Sequence, residues 1–147
     1  MSPHALATHA APWVPPVFAA VASVYDLRTR EIPDWIPIAL LVWAAVALLV
    51  GVHHADWLSA LGGLALAFGI GALLFYIADF GGGDAKLLGA VGACYGLGST
   101  LPILFWIAIM GGVLAVVALA RGKRSLAYAP AIAMGTLIWV VLQEIQG

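Results

Sequence analysis

Two acids stand where an apolar chain rarely places them. Asp26 closes the apolar stretch Val17 to Tyr25, and Asp84 follows three glycines in Phe80-Gly81-Gly82-Gly83-Asp84-Ala85-Lys86-Leu87. An unpaired carboxylate at the edge of a membrane span costs about a few kcal/mol, so such a residue is expected to be paired, hydrated or used. If the two meet across a helix interface, like charge and desolvation prevent both from ionising together, and one proton is shared between them. One member of such a pair can activate water while the other protonates a carbonyl oxygen, which hydrolyses a peptide bond with no metal and no covalent intermediate. The plainer readings are an interfacial acid paired with Arg28 or Arg30 for Asp26, and a helix N-cap for Asp84. The glycines before Asp84 permit close backbone approach, so an extended substrate backbone could lie against that turn.

The elements that must bring the two acids together are membrane spans. The chain has 147 residues, of which 64% are hydrophobic and 9% charged. Its mean hydropathy of +1.07 implies more apolar surface than a soluble core of this length can hide. Hydropathy predicts an all-α polytopic protein with six transmembrane helices, at about 10–26, 35–52, 57–78, 86–98, 101–120 and 126–143. The clearest spans approach the ~20 apolar residues that cross ~30 Å of hydrocarbon. Pro12, Pro15 and Pro16 leave the first span only a short uninterrupted helix, unless it is kinked and begins before Ala10. Gly98-Ser99-Thr100 with Pro102 is expected to separate the fourth span from the fifth.

Charge placement supports the same count. With six spans, loops 27–34, 79–86 and 121–125 share one side, and all six Lys and Arg residues lie in them. The positive-inside rule makes that face cytoplasmic and places both termini on the other side. Asp26, Asp34, Asp79 and Asp84 then share the cytoplasmic face. The first fourteen residues contain no Lys or Arg and so lack the positive region of a signal peptide; they are read as part of the mature chain. The net charge of −1 supplies no basic field for nucleic acid. The single cysteine, Cys94, excludes an intrachain disulfide and reads as packing. Gly63, Ala67 and Gly71, and Gly92 and Gly96, recur at intervals of four as helices in close contact require.

The segment Asp26-Leu27-Arg28-Thr29-Arg30-Glu31-Ile32-Pro33-Asp34, followed by Gly-x-Gly-Asp-x-Lys at Gly81 to Lys86, resembles the signature pair of type IV prepilin peptidases. Tyr128-Ala129-Pro130-Ala131-Ile132-Ala133-Met134-Gly135 is similar to the proline-bearing last span of that family. The resemblance runs from Asp26 to Gly135 in the family's order. It implies an aspartyl endopeptidase of Gly-x-Gly-Asp type in the plasma membrane, with Asp26 and Asp84 catalytic, no cofactor, and a prepilin or pilin-like protein as the substrate cut at the cytoplasmic face. Longer members carry a cytoplasmic insertion with paired CxxC motifs and methylate the new amino terminus. This chain has no such segment and resembles the short peptidases of tight-adherence pili and of archaeal preflagellins. A more distant similarity links the Tyr25-Asp26 and Gly-x-Gly-Asp pairing to presenilin-like intramembrane proteases.

Around the two aspartates, Gly81, Gly83, Lys86, Asp79, Asp34 and Pro130 are the candidates for supporting the site or binding substrate. Asp34 reads foremost as an N-cap of the second span, Asp79 as a boundary acid near the site, and Lys86 as a cytoplasmic anchor that could also contact substrate. Arg28, Arg30 and Glu31 could meet an incoming leader. His53, His54 and Asp56 could in principle hold a metal, but adjacent histidines rarely face one ion, and a solvated turn is expected. The rival class is a small proton- or cation-coupled transporter, whose acids would lie nearer the midplane.

Overall fold

The computed structural model describes residues 1–53 and 55–147, all helical apart from short connections. The helices are α1 (Pro3–Ala10), α2 (Val14–Thr29), α3 (Trp35–Leu49), α4 (Trp57–Ile77), α5 (Gly82–Tyr95), α6 (Leu97–Ala120) and α7 (Ala129–Gln146). A 3₁₀ turn at Ala11–Trp13 joins α1 to α2, so the two form one apolar rod from Pro3 to Thr29. That rod begins before Ala10, and its proline cluster tightens the helix locally without ending it. Three further helices, α4, α6 and α7, are long and apolar enough to cross a membrane, and α3 is a shorter apolar helix.

α5 is the centre of the bundle. It packs most extensively on α4 and also touches α2, α3 and α6, and nine of its fourteen residues are buried. The closeness of α4 and α5 follows from the small residues. A Cβ at Gly63 would drive into the Gly92 backbone carbonyl, and one at Gly71 would lie 2.8 Å from the Ala85 Cα. Without an aqueous driving force between helices, this intimate van der Waals contact is what holds them together in lipid. α6 and α7 meet in the same way, since a Cβ at Gly135 would fall 2.5 Å from the Ile107 backbone nitrogen.

Two local expectations are corrected. The break between the fourth and fifth spans lies at Gly96 and not at Gly98 to Pro102: Gly96 adopts φ +79°, which glycine reaches without a Cβ penalty, and α6 starts at once with Pro102 inside it. Thr100 donates its hydroxyl to the Gly96 carbonyl at 2.7 Å and ties down that junction. The last helix starts at Ala129 rather than near Leu126.

His53 is also less solvated than expected, whereas Asp56 is exposed. His53 is half-buried, donates from Nε2 to the Ala93 carbonyl at 3.1 Å and accepts the Ala55 N–H at Nδ1 at 2.9 Å. It fastens the α3–α4 connection to α5. Asp56 caps α4 by accepting the Ser59 N–H at 2.7 Å. His54 lies outside the described residues, and no cluster of three potential metal ligands occurs among the described ones.

Candidate active site

Asp26 sits in the last turn of α2. Its own carbonyl accepts the Arg30 N–H at 3.0 Å, and Arg30 at φ +59° ends the helix in the left-handed conformation. The chain then runs over residues 30–34 before α3 begins. Asp84 occupies the third position of α5. Gly81, in extended conformation, is the N-cap, so Asp84 is displaced from the capping role that its type suggests. An acid in a helix's first turn still faces its unpaired N–H groups.

The two helix ends converge. Asp26 and Asp84 line one cleft of about 430 Å³ together with Arg30, Glu31, Ile32, Pro33, Asp34 and the glycines 81–83. Both aspartates are only 6% exposed, although the cleft they line is open. Neither forms an ion pair among the described residues; the one salt bridge there joins Lys86 to Asp34. Of the four acids that line the cleft, Asp26 and Asp84 are buried, whereas Glu31 and Asp34 are exposed.

Their surroundings differ. Asp26 Oδ2 accepts the Ala129 N–H at 3.1 Å, in the first turn of α7. Tyr128, the N-cap of α7, offers no side-chain cap, and Pro130 has no N–H to satisfy, so an aspartate from a distant helix supplies the cap. This fixes the carboxylate in place. Asp84 Oδ1 is buried and has no hydrogen-bond partner among the described residues. An unpartnered carboxyl oxygen is costly in a folded interior and is commonly kept where chemistry needs it. Its other oxygen, Oδ2, lies where a Cβ on Gly81 would be, at 2.5 Å, so the absence of a side chain at 81 makes room for the carboxylate. Gly83 leaves space in turn for Ile32, whose Cβ would stand 3.0 Å from a Cβ there.

The supporting candidates separate into three groups. Gly81, Gly83 and Asp34 line the cleft with the aspartates. Pro130 lies one residue from the N–H that holds Asp26. Lys86 and Asp79 are not among the lining residues: Lys86 points to Asp34, at 2.8 Å, and Asp79 is exposed at φ +51°, where it reverses the chain between α4 and α5. Asp34 occupies the N-cap position of α3 but its side chain makes no cap bond, because the ammonium of Lys86 takes it instead. Arg30 and Glu31 reach the cleft, whereas Arg28 does not line it. The Ala129 N–H has no counterpart in the sequence reading. A backbone donor carries no residue-type signal, and the one available hint was the proline directly after it.

The family model described as the type IV leader peptidase family matches residues 13–116, which includes both aspartates and ends before α7. The chain is 32% identical over 132 residues to the prepilin leader peptidase/N-methyltransferase of Escherichia coli strain K12, an alignment covering 82% of this chain and 58% of that protein. It is 35% identical over 77 residues to the preflagellin peptidase of Methanococcus maripaludis strain C6, covering 50% of this chain and 33% of that protein. The chain thus spans between a third and three-fifths of the length of these curated relatives. No solved structure matches it. Neither the helices nor these relatives favour the transporter alternative. A bundle of apolar helices, a pair of buried acids at one end of it and a family match over residues 13–116 agree: this membrane protein belongs to the type IV leader peptidase family.

Proposed function

We propose that the chain is a membrane aspartyl endopeptidase that removes the leader of prepilin-like proteins at the cytoplasmic face of the plasma membrane, with Asp26 and Asp84 as its catalytic pair. The observation that carries this reading is the shared cleft: two buried carboxyl groups from α2 and α5, one anchored on the α7 N-terminus and one with an oxygen free of partners. The cytoplasmic assignment rests on the side that holds every Lys and Arg.

In this mechanism a water molecule lies between the carboxyl groups and the scissile carbonyl. The ionised carboxyl takes a proton from water as its oxygen bonds to the carbonyl carbon, and the protonated carboxyl gives its proton to the carbonyl oxygen. As the tetrahedral species collapses, the protonated carboxyl gives its proton to the departing amine nitrogen while the ionised one takes a proton from a hydroxyl of the gem-diol; the C–N bond breaks, the new carboxyl product forms, and the pair ends with the single proton it began with. Gly82, exposed in the first turn of α5 and lining the cleft, leaves bare backbone beside the pair against which an extended substrate strand lies in this reading.

Purified protein incubated with leader-bearing prepilins, with the products located by mass spectrometry, tests this function. A single cut between leader and mature segment is expected. Intact substrate at every enzyme concentration would overturn it.

A further inference from the structure

α3 and α4 both pack on α5 but hardly on each other. Between them runs a second cavity, of about 640 Å³, walled by Pro37, Ile38 and Leu41 of α3 and by Leu61, Leu64 and Phe68 of α4. Two of its wall residues are held against α5, since a Cβ at Gly89 would meet Phe68 at 2.9 Å and Leu64 at 3.3 Å. From Leu61 to Phe68 the groove is about 10 Å long at ~1.5 Å per residue, roughly a third of the ~30 Å hydrocarbon thickness. It therefore runs into the bilayer from the end of the molecule where the aspartates lie.

The groove and the dyad cleft adjoin at Asp34. That residue lines both, and its ion pair with Lys86, 2.8 Å long and largely exposed, stands at the groove's end of this shared edge. A chain leaving the groove past Asp34 enters the cleft that holds the aspartates. The walls are apolar almost throughout, so the part of a chain that fits there is an apolar membrane segment, while the adjoining polar part enters the cleft with the two acids.

We infer that the α3–α4 groove is the docking surface for the apolar membrane segment of the protein being cut, and that it sets the register of the scissile bond against Asp26 and Asp84. This inference rests on the peptidase reading of the dyad. It makes the groove a specificity determinant distinct from the catalytic pair, with Lys86 and Asp34 forming the clasp that a bound chain must pass.

The test uses the full chain in lipid nanodiscs and two probes: a leader peptide joined to its ~20-residue apolar segment, and the same leader peptide ending just after the cut. Wild-type enzyme is expected to show at least a tenfold lower KM for the long probe. Ile38 and Leu61 are more than half exposed, so Ile38→Trp and Leu61→Trp fill the groove without entering the core. Each is expected to remove most of the long probe's KM advantage, whereas Val116→Trp on the exposed face of α6 keeps it. A photo-crosslinker at Leu61 in the Asp84→Asn protein is expected to capture the long probe within its apolar segment. An unchanged KM ratio in both groove variants, or crosslinks to lipid alone, would overturn the inference while leaving the dyad intact. A wild-type enzyme that cuts neither probe would defeat the peptidase reading and this inference with it.

Discussion

α5 and α6 adjoin in sequence and could hardly be used more differently. α5 has fourteen residues with nine buried, and carries Asp84; α6 has twenty-four residues with three buried, and is long and apolar enough to cross a membrane unaided. One is wrapped by its neighbours and the other faces lipid along most of its length. The helix that looks most like a membrane span is thus a wall, and the helix that looks least like one holds the chemistry. A short helix rich in Gly and Ala can afford a buried carboxyl group because protein, not hydrocarbon, surrounds it.

The sharpest way to break this contrast is at the acids. Asp84→Asn and Asp26→Asn are each expected to lower kcat for leader cleavage by about 10³-fold or more with the fold retained, measured by initial rates alongside thermal unfolding. A smaller loss is expected from Gly81→Ala. The new Cβ would fall 2.5 Å from Asp84 Oδ2, and because a carboxylate can swing aside, the protein folds normally while the pair is misaligned. A displacement of that order costs roughly 10- to 100-fold in kcat.

Packing should separate the two helices next. Gly63→Ala pushes a methyl group into the Gly92 carbonyl and must spread α4 from α5, at a cost of about 1–3 kcal/mol in unfolding experiments in detergent. Gly112→Ala on α6 meets nothing within 4 Å, and replacing an interior helical glycine there is expected to be neutral or to stabilise by roughly 0.5–1 kcal/mol. The smallest effect belongs to Lys86→Ala. Its exposed ion pair with Asp34 contributes about 0–1 kcal/mol, so the same unfolding measurement should change little.

Much of this contrast was legible in the residues. The acid after an apolar run, the acid after three glycines, and the confinement of every Lys and Arg to three loops led directly to two aspartates at one end of a helical bundle. The Gly63, Ala67 and Gly71 stripe pointed to close helix packing, because small residues at helical spacing have few other uses in lipid, but not to α5 as the helix it meets. What stayed hidden was tertiary. Asp34 fits a capping position by type, but a lysine 52 residues away claims its carboxylate. Asp26 caps α7 through a backbone N–H 103 residues away, which no side-chain pattern records. The α5–α6 break lies at Gly96 because its backbone conformation demands glycine, while Pro102, expected to help end α5, is absorbed near the start of α6.

The central claim is that the two aspartates act as one unit, and the measurement that reaches it most directly compares kcat for Asp26→Asn, Asp84→Asn and the double variant on one leader-bearing substrate. Groups that work together are grossly non-additive, so all three are expected to share the same residual rate. Full activity in either single variant, or losses that multiply in the double variant, would contradict it.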